Sequence, residues 1–325
     1  MSEKSQVLNC NDLTGGWTSA GVAILNTVRF LKEDYDLPQV MGYTGFAFRI
    51  NINAADVDVA GPTAFDWESI FERGLANLGI KATTVRTKDF VAPTPEELKQ
   101  AIAMVQDSID QGVPAISWDM HVPEFGNIYG YDDQKQAFMA KDPAGDQPLP
   151  YEKLGRGQVN EMFVATVQDS FEIDRKSQLK NALEMAIEHA RYREHQHELP
   201  PYENGLKGYD AWIEAFEKGQ VSEFGNAYNI HVVQDARRVA AKFFDWLKVE
   251  WKDDERISNL CYDAQEKYNE VANHLEELIE LYPFPQGGEP NKPQNAQITI
   301  DKLQLAKEAE FQAVNKLEEL LEEVK

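Results

Sequence analysis

VPAISWDMHVPEFGNIYGYDDQKQAFMAKDP, residues 113–143, decides the fold class. Pro114 to Trp118, Gly126 to Tyr131 and Gln136 to Lys141 read as strands, because β-branched and aromatic residues dominate them and turn residues part them at Asp132-Asp133 and Asp142-Pro143. Glu161 to Gln168 is a further strand of the same kind. Upstream the pattern is helical. Thr18 to Lys32 carries an apolar stripe through Val22, Ala23, Ile24, Leu25, Val28 and Leu31, and Gly15-Gly16 turns the chain into it with free N–H groups leading. Met41 to Ile50 reads as a Gly- and Phe-rich turn feeding a strand, Phe65 to Leu78 as a helix closed by Gly79, and Lys81 to Thr87 as a short strand. Thr94 with Glu97 three residues on is a capping-box signature for a third helix. Helices followed by a run of strands predict an α+β domain with an antiparallel sheet over residues 1–170.

Residues 171–325 predict a second, all-α domain, a helical bundle. Helical periodicity runs near Asp174 to His195, Leu206 to Lys218, Ala227 to Trp251, Asp254 to Tyr282 and Asp301 to Val324. Leu199-Pro-Pro-Tyr202, Gly219 to Gly225 and Pro283 to Asn295 break it, and the last of these reads as an exposed, protease-sensitive connection.

The net charge is −23, shared as 13 basic against 24 acidic residues in 1–170 and 19 against 31 after it. Such a surface repels phosphate backbones and anionic lipids, so nucleic acid and membrane are not expected partners. No run reaches the roughly 18 apolar residues of a membrane span, and the amino terminus lacks the pattern of a secretory signal. Cys10 and Cys261 stand far apart, which argues against a disulfide framework and for a cytoplasmic, reducing setting. His189, Glu194, His195, His197 and Glu198 are ligand-type residues without the one-face spacing of a zinc site, so neither metal nor cofactor is expected.

Several motifs in order resemble the papain-like fold of bacterial bacteriocin-leader-processing cysteine peptidases, and more closely proteins similar to butirosin biosynthesis protein H. Ser19-Ala-Gly-Val-Ala-Ile-Leu25 is similar to the helix that opens on the family's nucleophilic Cys, and Met41-Gly-Tyr-Thr-Gly-Phe46 to its Gly/Phe-rich segment. Glu124-Phe-Gly-Asn-Ile-Tyr-Gly-Tyr-Asp-Asp133 resembles the strand that carries the catalytic His and leads to Gly-Tyr-Asp-Asp, and Asp142-Pro143 the strand ending in Asp-Pro. Gly205-Leu-Lys-Gly-Tyr-Asp-Ala-Trp212, Asn226-Ala and Ala236-Arg-Arg238 look like the helical appendix of the butirosin protein group. The resemblance implies a hydrolase or acyltransferase acting on an amide or thioester of a small molecule or peptide, in a setting such as secondary metabolism.

Ser19, or Thr18 if the register slips by one, stands in the nucleophile slot, and Glu124 stands in the base slot; neither Cys nor His is retained. Asp142 would orient Glu124. A carboxylate serves as base only where burial or a like charge raises it, so a Ser/Glu/Asp variant of the triad is one expectation. A catalytically inactive member of the fold, binding a small molecule or peptide in the retained cleft, is the other. Trp17, Thr18, Phe46, Trp118 and His121 are the expected ligand-lining residues, and Ser19 and Glu124 are expected to face each other across a pocket between Trp17 and Trp118. Ser19 is also an ordinary helix-capping residue and Asp142 an ordinary turn residue. A homo-oligomer is admitted as a further partner.

Overall fold

The computed structural model describes residues 4–192, 194 and 202–325. Its first half contains β1 (Ser5–Val7), α1 (Ser19–Val28), α2 (Leu37–Tyr43), β2 (Asn51–Asn53), α3 (Trp67–Asn77), β3 (Ile80–Arg86), α4 (Pro95–Asp110), β4 (Ala115–Trp118), β5 (Phe125–Asp132), β6 (Ala137–Asp142), β7 (Gly145–Pro150) and β8 (Phe163–Ser170). The second half holds α5 (Arg175–Ala190), β9 (Tyr202–Asn204), α6 (Leu206–Lys218), α7 (Glu223–Glu250), α8 (Glu255–Ile279) and α9 (Pro293–Glu323). The protein is α+β, with an antiparallel sheet in the N-terminal half and helices in the C-terminal half. Among the described residues no helix is long and apolar enough to cross a membrane.

The chain divides into two compact units, Met1–Val40 with Trp67–Ile173, and Met41–Asp66 with Asp174–Lys325. The first is built on a sheet ordered β3-β8-β4-β5-β6-β7, with β1 added to β5. Each pairing is antiparallel, and β4 meets β5 with Trp118 opposite Phe125. β7, GDQPLP, escapes the strand pattern because it alternates poorly and holds Pro148 and Pro150; at the sheet's edge a missing N–H costs nothing. One core of this unit joins Ala101, Val105 and Ile109 of α4 to Ile128, Phe138, Ala140 and Val164 of the sheet. The start of α4 is fixed by the capping box: Thr94 Oγ1 accepts from Glu97 N–H at 3.3 Å and Glu97 Oε2 accepts from Thr94 N–H at 2.8 Å.

All ten residues of α1 are buried, and polar side chains fasten it to β5. Asn127 Nδ2 donates to Ala23 O at 3.0 Å and to Thr27 Oγ1 at 3.1 Å, while Asn26 Nδ2 donates to Asn127 Oδ1 at 3.2 Å and Asn11 O at 3.1 Å. A buried polar set satisfied in this way fixes the helix's register on the strand, which an apolar contact leaves freer.

Residues 41–66 group by contact with the second unit. Ile50, Ile52 and Val57 lie in one core with Tyr209, Trp212, Val271 and Leu275, and β2 pairs antiparallel with β9. The decisive contacts are ionic and buried. Arg237, fully buried on α7, binds Glu310 of α9 through Nε at 2.8 Å and Nη2 at 2.6 Å, and its Nη1 donates to Ala47 O at 3.2 Å and Arg49 O at 3.0 Å. Tyr209 OH donates to Glu310 Oε2 at 2.6 Å. Burial alone would lower the Arg237 pKa, and the Glu310 carboxylate more than offsets it, so the guanidinium is held charged.

The connection expected to be protease-sensitive is docked instead. Asn291 donates to Val221 O and accepts from Val221 N–H, both at 2.9 Å, and the Phe284 ring lies 5.0 Å from Phe224 and 5.7 Å from Tyr228. Accordingly α9 begins at Pro293 and not at Asp301.

Candidate site at the amino end of the first helix

Thr18 is the N-cap of α1 with an extended backbone, φ −85° and ψ 92°, and its side chain makes no capping bond. Ser19 is therefore the first helical residue and not the cap. At 7% exposure, its hydroxyl stands where the chain passes β5. Ser19 Oγ donates to Glu124 Oε2 and accepts from the Phe125 N–H at 3.1 Å. The two residues placed in the nucleophile and base slots are thus in direct contact, without an intervening pocket. Glu124 is half-buried in the bend just before β5, not within the strand.

Asp142 is brought near but not into that pair. It is buried at the end of β6, its Oδ2 accepts from the N–H groups of His121 at 2.8 Å and Val122 at 3.1 Å, and its Oδ1 accepts from Ala144 N–H at 2.8 Å. Among the described residues all its hydrogen bonds go to main-chain N–H groups, so it does not orient the Glu124 side chain by contact.

The expected lining residues separate. Trp118 is core: its ring lies 4.8 Å from Trp67 and 4.9 Å from Phe125. Trp17 is 38% exposed. Phe46 belongs to the other unit, where it is buried edge-on to Phe65 at 5.6 Å. The His121 main chain is held by Asp142, and its ring Nε2, like Thr18 Oγ1 and Trp118 Nε1, is buried without a hydrogen-bond partner among the described residues.

Sequence reasoning missed Asp119. It is 1% exposed, takes the left-handed φ of +50°, and accepts from Val159 N–H on Oδ2 at 2.5 Å, while Oδ1 has no partner among the described residues. Burial pushes its carboxyl above the ordinary range, the hydrogen bonds from Val159 and Gln158 pull the other way, and the Asp142 charge adds to the rise. Gly157 makes the fit, since a Cβ there would stand 2.6 Å from the Asp119 carboxyl carbon. An Asp after a strand-ending Trp carries no sequence signal for this; the glycine that faces it is 38 residues away.

Cys10 is buried and its thiol is pushed up to about 11 by that burial, the state of an inert thiol. Of the ligand-type cluster, His195, His197 and Glu198 lie outside the described residues. His189 Nδ1 and Glu194 Oε2 share a hydrogen bond at 3.0 Å, burial holding the imidazole below its ordinary range, and Arg49 binds the same carboxylate at 2.9 Å. No group of three or more metal-ligating side chains occurs among the described residues. No protein-family model matches this chain, and no curated protein does so either.

Proposed function

We propose that the sheet-bearing unit is a papain-like domain in which Ser19 and Glu124 recognise a small molecule or peptide without covalent chemistry. The observation that carries this reading is the way the three slots are engaged. A Ser/Glu/Asp triad needs the Glu to act as base and a third group to orient it. An orienting Asp would have to touch that base, yet the Asp142 oxygens are taken up by three main-chain N–H groups. Ser19 Oγ is also engaged on two sides, as donor to Glu124 and acceptor from Phe125. A half-buried carboxylate held in this way suits a ligand that offers an amine or amide N–H.

A second reading, a hydrolase or acyltransferase acting on an amide or thioester, is favoured by one observation: the Ser19 hydroxyl proton already points at a carboxylate. Labelling with a fluorophosphonate, read by intact mass, separates the two. The expected result is no adduct at Ser19 or Thr18. An adduct that Ser19→Ala removes would overturn the binding reading and establish a nucleophile. In the binding reading, ligand-observed NMR with a pool of primary amines, amides and short peptides should give hits that Glu124→Gln weakens about tenfold, the loss of one charge-assisted hydrogen bond.

A further inference from the structure

The loop from Asp119 to Glu124 joins β4 to β5 and ends on the carboxylate that meets Ser19. Its own main chain supplies two bonds, Asp119 N–H to Glu124 O at 3.0 Å and Glu124 N–H to Val122 O at 2.6 Å. Further bonds reach it from outside. Asp142 takes the His121 and Val122 N–H groups, and Gln158 Nε2 donates to His121 O at 3.2 Å. Asp142 can come this close because residue 126, in the strand beside it, is glycine. A Cβ at Gly126 would stand 2.9 Å from Asp142 Cβ and 2.1 Å from Lys141 O. A buried carboxylate accepting several main-chain N–H bonds forms the stronger, charge-assisted kind. It therefore fixes the loop's path firmly.

Resting on the reading of Ser19 and Glu124 as the recognition pair, we propose that Asp142 is a positioning residue. It fixes the main chain at His121 and Val122, and through it the place of Glu124 against Ser19, while touching neither side chain. The role belongs to the carboxylate's geometry; a turn residue that only closed the bend after β6 would leave the pair unaffected.

The Phe125 amide reports the pair, because its N–H donates to Ser19 Oγ. In the 15N-labelled full chain, Ser19→Ala gives the resonance position that Phe125 adopts when this bond is lost. Asp142→Ala is expected to move Phe125 in the same direction and to speed exchange at the His121, Val122 and Ala144 amides about tenfold or more. Asp142→Asn keeps an oxygen for His121 and Val122, so it should expose Ala144 alone and leave Phe125 in place. In whichever variant folds, the Phe125 position must follow the protection of His121 and Val122. Protection lost with Phe125 unmoved, or Phe125 moved with protection intact, overturns the proposal. If neither Ser19→Ala nor Glu124→Gln alters ligand binding, the recognition reading fails while this result stands, since no ligand enters the measurement.

Discussion

Replacing Arg237 by Met removes one half of an ion pair whose members are 0% and 2% exposed. Glu310 would be left in the core with Tyr209 OH as a remaining donor, and the carbonyls of Ala47 and Arg49 would each lose a partner. Breaking a buried pair from one side costs about 3–5 kcal/mol, because the surviving charge stays desolvated. For a unit of this size, each kcal/mol lowers the melting temperature by about 2–4 °C, so a fall of roughly 6–20 °C is expected. Arg237→Met/Glu310→Leu leaves neither charge behind and should recover more than half of the loss. The assay is calorimetry together with urea unfolding of wild type, both single variants and the double variant. Independent roles would make the two single losses add within about 0.5 kcal/mol. Such additivity would refute the claim that these residues act as one buried pair.

Asp119→Asn should raise stability at pH 7. The folded-state pKa of Asp119 is raised, so its contribution is fully present below the unfolded value of 3.8 and is lost as pH rises; removing the charge recovers it, and the gain should vanish in melts near pH 3.5. Cys10 and Cys261, pushed up by burial to about 11 and about 12, should resist a thiol reagent in the native protein and react as two equivalents in denaturant; two fast native equivalents would contradict their burial. Both shifts are upward, so their share of stability should decline as pH climbs from about 9 towards 11. Limited proteolysis should spare residues 283–292 in the wild type and cut them in Asn291→Ala, which loses both bonds to Val221; early cutting of the wild type would show that the docked state is not the one in solution.

The parts of the fold legible in the sequence are those written in local periodicity. Leu206 to Lys218 reads directly as α6, and Thr94 with Glu97 marks the start of α4, because both signals lie within one or two turns. The grouping of the 41–66 segment with the second unit is not legible for the opposite reason. What holds Ala47 and Arg49 is Arg237, nearly two hundred residues later, and no local pattern announces a bond to a carbonyl oxygen. At the site, the resemblance only set Ser19 and Glu124 facing each other across a pocket; their direct contact is a feature of the structure. The engagement of Asp142 is not legible either, because its partners are main-chain N–H groups that any sequence would carry.

The discontinuity of the second unit has a consequence for synthesis. Phe46, Phe48, Ile50 and Ile52, all buried in the finished protein, leave the ribosome long before Arg237 and Glu310 exist to hold them. At about 5–20 residues per second, the wait for Glu310 is on the order of 10–50 seconds. Met1–Val40 and Trp67–Ile173 can close their sheet in that interval, leaving the intervening 26 residues as an exposed apolar loop. Nascent chains arrested before Glu310 should therefore be cleaved between Met41 and Asp66, a vulnerability the released protein no longer has.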